Sequence, residues 1–210
     1  MYENFEKLPD EKKKMIIEIC IEEFADKGYV NASTNNIVKN ANISKGALFN
    51  YFGNKKNLFL YIMDYATNYY VDYLITRMKK NSPDFFERIL DWAKLKLQVS
   101  LEEPTIYNFF LVAYSNIPEE LTKDVEKRYA KLYEKGVVLS FEGLDLSLFR
   151  EDIDRQKAIE LLLVTFNGLS EKQLKLVNLI EDKGFSTLNE RLEELKACIA
   201  LLRKVFYKQN

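Results

Sequence analysis

Two stretches of helical periodicity, each too short to be stable alone, sit back to back between Ala32 and Phe52, separated by a turn at Asn42-Ile43. The first begins after Ser33 or Thr34, either of which can cap it, and buries Ile37, Val38 and Ala41. The second is capped by Ser44, turns Leu48 and Phe52 inward and stops at Gly53-Asn54. Isolated helices of this length do not persist in water. The pair must therefore share a core with the segment before it, where Ile16, Ile19, Cys20 and Phe24 form a stripe that starts near Pro9 or Asp10 and ends at Lys27 before Gly28. That core leaves one face of the second short helix, Lys45 to about Tyr51, pointing outward with Lys45, Gly46, Ala47, Asn50 and Tyr51 on it.

The remainder also reads as helix. A long amphipathic segment from Lys55 to about Lys80 would span about 38 Å at 1.5 Å per residue, enough to join a head to a body without a linker. Asn81-Ser82-Pro83-Asp84 predicts a helix start with Ser82 as cap and Pro83 in the first position, running to about Ser100. Further helices follow from Pro104 to Ser115 and Pro118 to Ser140, then a loop from Gly143 to Phe149. A long helix opening at Asp152 is expected to bend or break near Gly168-Leu169-Ser170 and end around Lys183-Gly184, and Ser186 or Thr187 caps the last one. The fold class is all-α, with about nine helices: a head at 1–54 and a larger helical domain at 55–210.

Charge is distributed unevenly. The net charge is −1, yet no Asp or Glu occurs between Asp26 and Asp64, while Lys27, Lys39, Lys45, Lys55 and Lys56 do. A confined basic patch is the footprint of a polyanion partner. The absence of histidine removes the commonest general base and metal ligand. No metal-ligand cluster or phosphate loop takes its place, so neither catalysis nor a cofactor is expected. Cys20 and Cys198 lie in amphipathic stretches and read as buried thiols. With no secretory signal and no long uncharged apolar run, no membrane association is expected, and the reducing cytoplasm is the expected location.

Two short helices on one small core, the second with a free polar face, make a helix-turn-helix that fits the major groove of double-stranded DNA. Lys45 can contact phosphate. Asn50 can bind adenine through both ends of its amide, or a phosphate instead. Gly46 permits close backbone approach, and Ala47 can meet a thymine methyl. Ser33, Thr34 and Asn35 at the start of the preceding helix can hold a phosphate, and Lys55 and Lys56 can reach the same strand. The competing view, a small bundle with a solvated basic face, fits the lysines but leaves the acid-free window and the helix-turn-helix spacing unexplained.

These residues resemble the TetR-type bacterial transcriptional regulators. The likeness is carried by Gly28-Tyr29, Ser33-Thr34, Ile37-Val38, Ala41, Ile43-Ser44-Lys45-Gly46, Leu48-Phe49, Tyr51-Phe52, Asn54-Lys55 and Leu58. It implies DNA contacts from Thr34, Ser44, Lys45, Gly46, Ala47, Asn50, Tyr51 and Lys55. Phe49 stands where that family commonly has Tyr, removing one phosphate-binding hydroxyl but keeping a ring that can pack on the backbone. Asn42 replaces a frequent Gly and can take the same left-handed turn.

For 55–210 the resemblance implies an effector-binding and dimerisation domain. Tyr69, Tyr70, Tyr73, Trp92, Phe109, Phe110, Tyr114, Phe166 and Asn167 could surround an apolar cavity with orienting polar groups, or pack as ordinary core. Ile159, Leu162, Leu163 and Phe166 on one stripe and Leu195, Ile199, Leu202 and Phe206 on another could pair with their symmetry mates. The implied protein is a homodimeric repressor released from an inverted-repeat operator by a small apolar or amphipathic effector. A DNA-binding activator, or a helical interaction module that binds no DNA, stays open at this level.

Overall fold

A computed structural model of the chain describes residues 2–77, 82–115, 117–177 and 187–209. Its α-helices are α1 (Glu3–Glu6), α2 (Asp10–Asn31), α3 (Thr34–Asn40), α4 (Lys45–Phe52), α5 (Lys55–Arg77), α6 (Phe85–Glu102), α7 (Pro104–Ser115), α8 (Thr122–Phe141), α9 (Arg155–Val177) and α10 (Leu188–Phe206). The fold is all-α, and among the described residues extended pairing is limited to an isolated bridge between Phe149 and Tyr207. The chain packs as two compact units, Met1–Tyr73 with Glu102–Leu132, and Leu74–Leu101 with Tyr133–Asn210.

In the first unit, Asp10 and Glu11 place negative charge in the first turn of α2, where the helix dipole favours it. Ile16, Ile17, Cys20, Ile21, Phe24 and Ala25 recur at helical spacing and are buried, and α2 packs along α7. Gly28 takes φ 66° and ψ 174°, a conformation open to glycine, so it kinks α2 where the sequence predicted an end. One further turn follows it, because Ala32 is buried and its N–H bonds Gly28 O at 3.1 Å. Ile37, Ala41, Leu48 and Phe52 from α3, its end and α4 join Leu58, Phe59, Ile62 and Met63 of α5 in one core with α2. Each such side chain contributes roughly 1.5–3 kcal/mol on burial.

A helix absent from the sequence reading, α1, seals this core. Phe5 is wholly buried, its ring centroid 4.7 Å from Phe52 and 5.3 Å from Tyr61. Four residues are too few to show periodicity, so only the tertiary contact reveals it.

In the second unit the start of α6 differs from the prediction. Its cap is Asp84 rather than Ser82: Asp84 Oδ1 accepts the N–H groups of Phe86 at 2.8 Å and Glu87 at 3.1 Å, while Ser82 Oγ accepts from Asp84 N at 3.2 Å. A carboxylate is the stronger acceptor at a helix N-terminus. It is also held here by Arg203, whose Nη1 lies 2.6 Å from Oδ2, and by the Tyr207 hydroxyl, which donates to Oδ1 at 3.1 Å. Buried Arg88 donates to Ser82 O and, at 2.8 Å, to Glu142 O.

Helix α9 opens behind Asp154, whose Oδ1 accepts from Lys157 N at 3.0 Å, and it continues through Gly168 without the predicted break. A helical glycine costs about 1 kcal/mol, less than burying Leu162 and Phe166 on the same helix returns. The predicted end at Lys183-Gly184 and the Ser186 cap lie outside the described residues. Thr187 precedes α10 without a side-chain capping bond.

The stripes expected to pair with symmetry mates contribute to this unit's own core in the single chain. Ile159, Leu162, Phe166 and Ile199 are buried within the single chain, and Leu163, Leu195, Leu202 and Phe206 pack against them. Sequence periodicity marks a buried face but not what buries it. Among the described side chains, the large apolar ones that α9 and α10 leave exposed are Leu161, Val164, Leu201 and Val205, at 53%, 69%, 64% and 48%.

Candidate nucleic-acid interface

The outer face of α4 is built by three local devices. Ser33 Oγ accepts from Asn36 N at 3.4 Å and caps α3, and Ser44 Oγ accepts from Ala47 N at 3.0 Å and caps α4. Between them Asn42 adopts φ 48°, which a short polar side chain tolerates, and Ile43 N bonds Val38 O at 3.0 Å. At the far end Gly53, at φ 77°, terminates the helix, with its N–H on Phe49 O at 2.8 Å. Leu48 and Phe52 point into the core. Lys45, Gly46 and Asn50 are exposed, and Ala47, Phe49 and Tyr51 are half-buried at the rim.

Around Gly46 the backbone is open: a Cβ there would have Ser44 Oγ, 3.8 Å away, as its neighbour. Tyr51 leans inward, its ring 5.7 Å from Phe5. Asn50 Oδ1 accepts from Asn4 Nδ2 of α1 at 3.3 Å. Of the residues at the start of α3, Ser33 is committed twice, through its capping hydroxyl and through its N–H, which donates to Glu23 Oε1 at 2.7 Å. Thr34 is half-buried and Asn35 exposed beside it.

The lysines of the acid-free window have different roles. Lys55 Nζ donates to Val30 O at 3.0 Å and lies 5.1 Å above the Tyr29 ring, and burial there holds its pKa below the ordinary lysine value. Lys56 Nζ pairs with Asp124 Oδ2 and donates to Glu120 O, both at 2.8 Å. Lys27 pairs with Asp26 at 2.8 Å. Lys39 and Lys45 are exposed. The partners of Lys56, Asp124 in α8 and Glu120 just before it, lie more than sixty residues away, so the linear charge pattern could not show that this lysine is engaged.

The residues read as a cavity lining fall in both units. In the first, the Tyr69 hydroxyl donates to Glu103 Oε1 at 2.6 Å and that of Tyr73 to Glu102, while Phe109 is core. Tyr70 and Phe110 rings meet at 4.9 Å, and Phe110 stacks on Tyr114 at 6.0 Å. Burial raises the hydroxyl pKa of Tyr70 and Tyr114. The Tyr114 hydroxyl and Thr67 Oγ1 are buried facing one another, and Thr67 tempers the upward shift of Tyr114. In the second unit Phe166 is core, Asn167 Nδ2 donates to Tyr133 OH at 2.9 Å, and Trp92 Nε1 is buried without an acceptor. An open cleft of about 490 Å³ beside Asp84, Arg203 and Tyr207, and one of about 390 Å³ beside Glu6, Lys13 and Tyr61, are lined by none of these nine. Among the described residues no group of three His, Cys, Asp or Glu is placed to hold a metal ion, and no helix is long and apolar enough to cross a membrane.

Two capped helices on a common core, with an exposed acid-free face on the second, make a helix-turn-helix of the DNA-binding kind. Residues 16–62 match the family model for bacterial regulatory proteins, tetR family. The DNA-binding segment is that of the TetR family, and the chain as a whole has the TetR fold. Over 68 residues, 32% of this chain, it is 44% identical to the uncharacterized HTH-type transcriptional regulator YuxN of Bacillus subtilis (strain 168), a match spanning 22% of that relative. Over 190 residues it is 23% identical to IcaR of Staphylococcus epidermidis, the biofilm operon icaADBC HTH-type negative transcriptional regulator, covering 87% of this chain and 100% of the relative. A TetR family transcriptional regulator from Chloroflexus aurantiacus J-10-FL superposes with a TM-score of 0.59 at 21% identity, covering 99% of this chain and 98% of that one.

Proposed function

We propose that the chain is a homodimeric repressor whose 1–54 head binds an inverted-repeat operator and whose 55–210 region binds a small apolar or amphipathic effector and dimerises. The observation that carries the reading is the outer face of α4: exposed Lys45, Gly46 and Asn50, fixed between the Ser44 cap and the buried Leu48 and Phe52. That face enters the major groove. Lys45 meets phosphate, Asn50 a base edge, and Ala47, Phe49 and Tyr51 the rim, while Ser44, Thr34, Asn35 and Lys55 lie beside the backbone. The likeness to IcaR over that regulator's whole length favours negative control, and DNA as the target places the protein in the cytoplasm.

Dimerisation uses the apolar side chains left outward on α9 and α10, Leu161, Val164, Leu201 and Val205. A two-fold dimer presents two equal heads and so reads an inverted repeat. The effector lies against Tyr70, Phe110 and Tyr114, where the buried hydroxyls of Tyr114 and Thr67 face one another and keep hydrogen-bonding capacity for a ligand. Release follows only when the ligand binds the DNA-incompetent state more tightly than the competent one.

A gel shift on DNA upstream of the chain's own gene tests this directly. Wild type should retard it, and Lys45→Ala with Asn50→Ala should abolish the shift while helical circular dichroism is unchanged. An undiminished shift in the double variant would sink the assignment of α4. In light scattering, Leu161→Lys with Leu201→Lys should yield monomers; a surviving dimer would move the interface elsewhere.

A further inference from the structure

Helix α1 does more than close the core. Phe5 is buried, the Tyr2 hydroxyl donates to Asn57 O at 3.3 Å, and the Tyr61 hydroxyl donates to Glu6 Oε1 at 2.7 Å. The backbone around Asn4 is therefore anchored on both sides, and its exposed amide reaches Asn50 on the outer face of α4, Nδ2 to Oδ1, at 3.3 Å. We propose that Asn4 is a specificity-determining residue that orients the Asn50 amide and so selects the base edge Asn50 reads. This rests on the placement of α4 in the major groove with Asn50 at the bases.

The chemistry follows from the two ends of an amide. A free Asn reads adenine with both, its oxygen accepting from N6 and its nitrogen donating to N7. With Oδ1 turned toward Asn4, Asn50 leads with Nδ2, a donor. Its complements are bases that show acceptors with no donor beside them, guanine through N7 and O6 or thymine through O4, whereas the N7 of adenine stands next to the N6 donor. Asn4→Asp replaces the donor with a carboxylate that can only accept. The Asn50 amide must then turn its Nδ2 toward position 4 and present Oδ1, which suits the amino group of cytosine or adenine. Asn4→Ala releases the amide altogether and restores the two-ended adenine contact.

The full-length chain and its Asn4→Ala, Asn4→Asp and Asn50→Ala variants, with melting temperatures recorded to confirm folding, are used to select from a pool of random duplex DNA. The expected wild-type motif carries guanine or thymine at one position in each half-site. Asn50→Ala flattens the preference there. Asn4→Asp moves it to cytosine or adenine, and Asn4→Ala to adenine, by at least about fivefold in relative enrichment, the low end of what one base contact discriminates. If Asn50→Ala flattens a position that both Asn4 variants leave unchanged, the role of Asn4 is overturned and the reading of α4 stands. A uniform loss of affinity in Asn4→Asp without a change of motif counts the same way. If Asn50→Ala changes no position, the reading of Asn50 fails and this inference with it.

Discussion

Replacing Phe5 by Ala removes the buried residue that α1 contributes to the first unit. In a closed core, Phe→Ala costs about 3–5 kcal/mol, part of it for the cavity left behind. Here the cavity term is avoidable, because a helix of four residues can detach instead. What is lost is then the docking of α1 as a whole: chiefly the transfer free energy of the ring and its edge-on contact with Tyr61 at 5.3 Å, about 2–4 kcal/mol together, while the loss of the Tyr2–Asn57 and Tyr61–Glu6 hydrogen bonds is offset by the conformational freedom the segment regains. For a chain of 210 residues this lowers Tm by about 4–16 °C. A sharper consequence concerns additivity. If Phe5 is what docks α1, deleting residues 1 to 8 costs the same as Phe5→Ala to within about 0.5 kcal/mol, and the deletion made on the Phe5→Ala background is nearly neutral. Urea unfolding followed by far-ultraviolet circular dichroism measures all three variants, and hydrogen exchange of the Glu6 amide, bonded to Tyr2 O at 3.0 Å, reports whether α1 has come away. A Phe5→Ala cost below about 0.5 kcal/mol, or a deletion costing more than about 1 kcal/mol beyond it, would refute the anchoring role.

Ser44→Ala should cost about 1 kcal/mol of stability by freeing the Ala47 N–H, while Ser44→Asp restores most of it; equal stability of the two variants in urea would contradict the cap. Asp84→Ala strips the cap of α6 and leaves Arg203 and Tyr207 without their acceptor, a loss of about 2–4 kcal/mol expected in the same assay, with Asp84→Asn intermediate. Burial pushes the thiol of Cys20 from 9.0 up to about 12, and chiefly burial pushes the Tyr29 hydroxyl from 10.0 to about 12. The unfolded chain ionises these groups first, so the stability they contribute is intact below pH 9 and drains as pH rises toward 12. Cys20→Ala should flatten that decline by up to about 1.4 kcal/mol per pH unit; parallel curves for the two proteins would show that the thiol is not protected. In salt titrations of operator binding, Lys45→Ala should weaken affinity alike on all sequences and reduce the logarithmic slope by about 1, and an unchanged slope would remove Lys45 from the phosphate contacts.

Residues 32–53 were legible because each signal there is local. Ser33 and Ser44 cap within three residues, Asn42 and Gly53 supply left-handed backbone, and Ile37, Leu48 and Phe52 mark the inner face. The same locality explains why Pro104–Ser115 is found at its predicted bounds. Where two local signals competed, sequence chose wrongly. Ser82 and Asp84 are both competent caps, and only Arg203 and Tyr207, over a hundred residues away, decide for Asp84. Gly168 can break a helix or be carried through one, and the burial of its neighbours decides.

By itself, then, the sequence determined the longer helices, the caps of α3 and α4 and the polar face of Lys45 to Tyr51, since these depend on neighbours within about one helical turn. Tertiary structure alone decided three things: that α1 folds back to brace that face through Phe5 and Asn4, that Lys56 is engaged by Asp124, and that Ile159, Leu162 and Ile199 are spent inside one chain, leaving Leu161, Val164, Leu201 and Val205 outward. Periodicity records that a side chain is hidden, whereas the identity of what hides it is set by contacts between residues far apart in the chain.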